Sequence, residues 1–155
     1  MALNAYLKLK ANGADLPGES QDGLYKDWIE VESFSWGVLG AREAGSGQTT
    51  GRRIYKEFRW VNTHHKSSVL IWKALVENQV IEATVKAVRP NPSGDGTQEH
   101  FLTIAFTKGR ISSFDQAASE GADTVYEEIG LVFQTIKVTH ENGGIEHEDS
   151  LITQS

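Results

Sequence analysis

The residue types most capable of chemistry lie in a few short stretches. Gly45-Ser46-Gly47-Gln48-Thr49-Thr50-Gly51 has the glycine density of a phosphate-cradling loop. A phosphate loop needs Gly-Lys-Ser/Thr opening a helix, whereas Gly51 is followed by Arg52 and Arg53 and then a strand pattern. A dinucleotide fingerprint would need glycine where Thr50 stands. The stretch therefore reads as a loop. His64 and His65 are adjacent, so on a regular element they point apart and chelate one ion poorly. His100 stands alone at a strand start. Glu146-His147-Glu148-Asp149 lacks the spacing of a zinc site and reads as a solvated acidic strand. Glu127 and Glu128 are sequence neighbours, so in a strand they face opposite ways and cannot flank one glycosidic bond. No Gly-x-Ser-x-Gly elbow is present, and Ser112 and Ser113 read as sheet positions. The expectation is no catalytic residue, no metal site and no cofactor. What remains is Trp28, Trp36, Trp60 and Trp72, which in a small-ligand or carbohydrate-binding β-barrel could stack on sugars and otherwise pack cores or interfaces.

The elements carrying these residues are mostly strands. Leu3, Ala5, Leu7, Leu9 and Ala11 alternate with polar residues and predict a half-buried strand near the N-terminus. Gly13 to Gly23 reads as a loop. Tyr25 to Val38 reads as a second strand whose apolar parity changes, from Ile29 and Val31 to Phe34, Trp36 and Val38. Such a change demands a bulge or a sharp bend. A third strand places Ile54, Phe58 and Trp60 on one face. Strands over Ile81 to Ala87 and around Leu102 to Phe106 form a hairpin about a Pro-Asn-Pro-Ser-Gly turn. A further short strand is expected at Ile111–Phe114, a long one at Val125–Val138, and a last one at Ile145–Ile152 after Asn142-Gly143-Gly144. The sum is seven or eight antiparallel strands in a β-barrel of two packed sheets.

One helix is expected, from about Ser68 to Asn78, with Ser67 capping its start and Asn78 ending it. Its apolar arc is wide, with only Lys73 and Glu77 as a polar stripe. A short helix on a monomer needs cover on one face, and this one asks for cover on two. Ile71, Trp72, Leu75 and Val76 are therefore the expected subunit-interface residues. The segment Gly40–Arg53 is too long and polar for a tight hairpin, and loops of that kind often carry function.

The chain has 155 residues, with 15 Lys plus Arg against 21 Asp plus Glu, a net charge of −6. That length fits one domain, 1–155. The acidic balance speaks against binding nucleic acid or an anionic membrane surface. The absence of cysteine removes disulfides, thiolate zinc sites and a Cys nucleophile. No basic-then-apolar leader opens the sequence, so no signal peptide of the usual kind is expected.

Several stretches together resemble the Hcp family, the hemolysin-coregulated tube proteins of bacterial type VI secretion. They are Ala5-Tyr6-Leu7-Lys8-Leu9, then Ile29-Glu30-Val31 leading to Ser33-Phe34-Ser35-Trp36-Gly37, then Ile111-Ser112-Ser113, then Tyr126-Glu127-Glu128-Ile129 through Phe133 and Ile136. The resemblance runs in order along nearly the whole chain. Many relatives carry Lys-x-x-Asp-x-x-Ser-Pro-x-Leu before the helix. Here Ser67 and Leu70 match, but Val61, His64 and Ser68 stand in place of the Lys, Asp and Pro. The resemblance implies a β-barrel protomer with a flanking helix, not an enzyme. It implies a homohexameric ring, rings stacked into a tube, a spike protein at the tip, a contractile sheath, and effectors in the lumen. It implies a protein found in the cytoplasm and outside the cell, exported without a signal peptide and serving virulence or interbacterial competition. No fused effector domain is expected after the last expected strand. In that frame Arg42, Glu43, Arg52 and Arg53, in the Gly40–Arg53 loop, are the expected ring-stacking contacts.

Overall fold

The computed structural model describes residues 3–40, 53–94 and 96–151. Ten strands and one helix follow in the order β1 (Asn4–Ala11), β2 (Ala14–Leu16), β3 (Ile29–Val31), β4 (Ser33–Leu39), β5 (Ile54–Thr63), α1 (Ser68–Val76), β6 (Ile81–Pro90), β7 (Gln98–Ala117), β8 (Tyr126–Val132), β9 (Thr135–His140) and β10 (Ile145–Ser150). All pairings are antiparallel, along the path β2-β1-β6-β7-β8-β5-β4, with β3 on β1 and β9 bridging β7 and β10. The ladder is not a closed ring. Its two ends approach through one bent segment, in which β3 pairs with β1 while β4 pairs with β5.

That bend is where the apolar parity changes. Ile29 is buried in register with Leu7, and the amide of Glu32 donates to the carbonyl of Val61 at 2.7 Å. Beyond Glu32 the chain has changed partners, and a further register shift between Ser35 and Gly37 bends β4 again.

Three expectations are corrected. Gly13–Gly23 contains a strand, because Asn12 (φ 50°) and Gly13 (φ 85°) make a two-residue turn that returns β2 onto β1, Ala11 opposite Ala14. Ile111–Phe114 is not a separate strand but the far half of the twenty-residue β7. That strand serves both sheets, pairing β6 and β9 with its first half and β8 with its second. The predicted strand Val125–Val138 is two strands. Pairing passes from β8 to β9 at Phe133–Gln134, so Ile129 and Leu131 share one parity and Ile136 and Val138 the other.

The core lies between the two sheets. Leu7, Leu9, Phe58, Trp60, Ile81, Ile104, Phe106, Ile129 and Leu131 are all essentially without exposed surface. Phe58 packs against Trp60 and Phe106, with ring centroids 5.5 and 4.6 Å apart. The helix closes one side by inserting Ile71 and Ala74 into this cluster.

Candidate functional site

Helix α1 presents two unlike faces. Ile71 and Ala74 are fully buried, and Leu75 packs partly against the core. Val69, Trp72 and Val76, at positions i, i+3 and i+7, form an apolar stripe on the other side, exposed by 60, 57 and 65%. Leu70 is exposed beside it. Of the four expected interface residues, Trp72 and Val76 are therefore free to meet a neighbour. Ile71 turns its side chain into the core of its own protomer, and Leu75 largely does so.

The helix ends as Asn78 predicts. Asn78 sits at φ 52°, its amide donates to the carbonyl of Leu75, and the amide of Gln79 donates to Ala74. This is a Schellman closure with asparagine in the left-handed position. The helix start is built differently from the expectation. Ser67 makes no side-chain cap, because its hydroxyl donates to the carbonyl of Pro17 at 2.6 Å. The amide of Ser67 donates instead to Nδ1 of His65 at 3.2 Å, and that of Lys66 to Oε2 of Glu19 at 2.6 Å.

Beneath this helix start lies a buried carboxylate. Glu127 shares the inward parity of Ile129 and Leu131 on β8 and is 1% exposed. Its Oε1 accepts from the Ser68 hydroxyl at 2.7 Å and from Nδ2 of Asn62 at 3.0 Å. Its Oε2 accepts from Nε2 of Gln116 at 2.8 Å and lies 3.0 Å from Nδ1 of His64. Trp60 extends the network by donating Nε1 to Oδ1 of Asn62 at 2.7 Å. Burial pushes the Glu127 carboxyl up, but the hydrogen bonds from Ser68, Gln116, His64 and Asn62 outweigh it and hold the group below the usual glutamate range. The charged form is thus what joins β5, β7, β8 and the helix at one point.

Two of the three positions that depart from the relatives' pattern, His64 and Ser68, both contact this carboxylate. An aspartate at 64 would set a like charge beside Glu127, and a proline at 68 would offer it no donor. Glu128, by contrast, points outward and pairs with Arg59 at 2.9 Å.

The other chemical candidates are dispersed. Ser112 donates to Glu57, and Nε2 of His100 lies 2.7 Å from the Thr103 hydroxyl. Glu146 is engaged by Lys137 of β9, and Asp149 by Arg53 just before β5. Among the described residues, no three His, Asp or Glu groups are placed to hold one metal ion. The tryptophans do not converge on a platform either. Trp60 is core, Trp36 packs against the core, Trp28 lies edge-on to Tyr25 between Lys8 and Lys86, and Trp72 stands on the helix.

Arg42, Glu43 and Arg52, and the glycine-rich stretch Gly45–Gly51, lie outside the described residues. Arg53 is described, and it is engaged within the protomer. Its guanidinium grips Asp149 through two bonds of 2.6 Å, and Tyr55 donates to the same carboxylate, which ties β5 to β10.

Comparison with known proteins supplies the context for this frame. A family model described as type VI secretion system effector, Hcp, matches residues 6–140. The Major exported protein of Pseudomonas aeruginosa is 26% identical over 141 residues, covering 87% of this chain and 81% of that protein. The structure of a double tryptophan mutant of Hcp1 from the E. coli EAEC 042 pathovar superposes with a TM-score of 0.86 at 22% identity, over 97% of this chain and 99% of the other. A type six secretion system protein superposes at 0.82 with 27% identity, over 99% of both chains.

Proposed function

We propose, from the premise that this chain belongs to the Hcp family of type VI secretion tube proteins, that six copies close into a ring through the exposed stripe of helix α1 and that such rings stack into a tube. Family membership makes the protein a secreted, structural component of that system, and a relative bears the name Major exported protein. The ring and the stack are our reading of how this chain performs that part.

One observation carries the ring. Val69, Trp72 and Val76 expose a contiguous apolar stripe on a helix whose opposite face already fills the core. A soluble acidic chain gains nothing from such a stripe unless another surface covers it. A symmetric closed ring repeats one such contact at every junction. Stacking is assigned to the Gly40–Arg53 loop, with Arg42, Glu43 and Arg52 as its charged contacts. In the same reading the domain spans 1–155, a spike protein sits at the tube tip, a contractile sheath propels the tube, and effectors ride in the lumen. Virulence or interbacterial competition is the use such a tube serves. No enzymatic step belongs to this role. The fold supplies walls and contacts.

Export tests the reading in the cell. Deleting the sheath, or the ATPase that recycles it, in the source bacterium should leave the protein in the cytoplasm and remove it from the medium. Equal amounts outside the cell, without lysis, would refute the assignment.

A further inference from the structure

The first turn of α1 is held by a histidine with no spare partner. His65 is 5% exposed. Its Nδ1 accepts the Ser67 amide at 3.2 Å, so its proton resides on Nε2, which is buried without a hydrogen-bond partner. Its own amide donates to the Ser68 hydroxyl at 3.0 Å, and that hydroxyl donates onward to Glu127. The backbone and ring of this one residue therefore connect the helix start to the buried carboxylate. His65 also lines a cleft of about 200 Å³ with Glu19, Ser20, Ile29, Glu30, Thr63 and His64.

We propose that neutral His65 is a pH-sensitive latch on helix α1, and that its protonation unseats the first turn of the helix and with it the apolar stripe that joins neighbouring protomers. The second part rests on the ring reading given above.

The chemistry follows from the donor count. A second proton can only go on Nδ1, where it meets the Ser67 N–H, donor against donor. The lost bond leaves a helix amide unpaired, and a charge appears in a buried site. The groups facing the ring are Glu127 on β8, Glu19 in the segment before β3, and neighbouring His64, with Glu30 of β3 on the same cleft. Burial lowers the affinity of His65 for a proton. Glu127 and Glu19 work the other way and His64 adds to the lowering, and the balance leaves the imidazole below its ordinary 6.5. The closed latch thus binds fewer protons than the open one. Its stability is complete above 6.5 and falls as the pH drops below that value, until the closed-state pKa is reached.

The test is hydrogen exchange of the full chain at residues 66–70, normalised to the intrinsic rate at each pH, beside native mass measurement of the assembly. One proton linked to opening makes exchange rise by at most about tenfold per pH unit between 6.5 and the closed-state pKa, and no further below it. His65→Asn keeps an acceptor near the Nδ1 position and removes the titration. Between pH 6.5 and 4.5, above the range in which Glu127 titrates, its exchange should not respond to pH, and its assembly should persist at pH values where the wild type comes apart. Equal pH responses in the two proteins would overturn the latch. If no ring forms at neutral pH, the ring reading fails, and the exchange profile still decides the latch by itself. If His65→Asn does not fold, the imidazole nitrogen shifts of the wild type decide: titration below 6.5 supports the latch, and titration at or above 6.5 overturns it.

Discussion

Removing the Glu127 carboxylate should be among the costliest single changes in this protein, and its size can be worked from the bonds it makes. Four side chains address it: Ser68, Asn62, His64 and Gln116. Ser68 and Asn62 are buried, and in Glu127→Ala both lose an acceptor that water cannot easily replace. A buried donor left unpaired costs about 1–3 kcal/mol, so the two together cost about 2–6 kcal/mol. Gln116 is exposed and the His64 side chain is 48% exposed, so both can turn to water and add little. Glu127→Gln is milder. Its carbonyl can still accept from Ser68 and Asn62, while its amide faces His64, which can change tautomer, and Gln116, which can flip. It forfeits mainly the charge assistance, about 1 kcal/mol. Equilibrium urea unfolding at one fixed protein concentration reads both, since any assembly adds concentration-dependent stability. A second signature is pH. A carboxyl held below its ordinary 4.5 stabilises the fold fully above that value, and the contribution disappears as the pH falls through the folded-state pKa. The wild type should lose stability there relative to Glu127→Gln. If Glu127→Ala costs less than about 1 kcal/mol, or if the glutamine variant costs as much as the alanine one, Glu127 is not the joint described here.

Other substitutions probe separate links. Trp72→Glu places a charge on a side chain 57% exposed in the protomer, so the thermal midpoint of the isolated chain should barely move while the assembly mass collapses. Asn78→Ala must hold φ 52° with a Cβ that dislikes it and should cost about 1 kcal/mol, whereas Asn78→Gly should be neutral or slightly stabilising, both read by urea midpoint. Gly18→Ala would bring a Cβ to 2.4 Å from the carbonyl of Trp28, so the segment joining β2 to β3 must shift, with loss of the 2.7 Å bond from the Gly18 amide to Asp27 visible as faster exchange.

Much of the frame was legible from parity and turn residues. The change of parity between Val31 and Phe34 located the place where the chain passes from one sheet to the other. The strand β2 was missed: Asn12-Gly13 is a hairpin turn, but three residues of Ala-Asp-Leu are too short to alternate visibly. The continuity of β7 was not. Its register shifts and the left-handed Lys108 look like a break until both sheets are seen to share it. At the site, periodicity predicted a helix apolar nearly all round but could not say which side the core would claim. Ile71 and Trp72 are both apolar in sequence, and only the direction of packing on the sheets separates them. Glu127 carried a usable signal, since it shares the parity of Ile129 and Leu131, which is an unusual place for a charge. Its partners come from three other elements, and nothing local joins Asn62, Ser68 and Gln116.

The measurement that bears most directly on the account is native mass spectrometry of the purified chain at neutral pH, with negative-stain microscopy of the same sample. The account predicts a species of six chains of 17.1 kDa, about 103 kDa, seen as six-fold rings with an open centre. Trp72→Glu should reduce it to single chains that keep the wild-type circular dichroism. A wild-type sample that remains a single chain at micromolar concentration, or that closes into rings unaffected by the Trp72 substitution, would contradict the claim that the exposed stripe of α1 closes the ring.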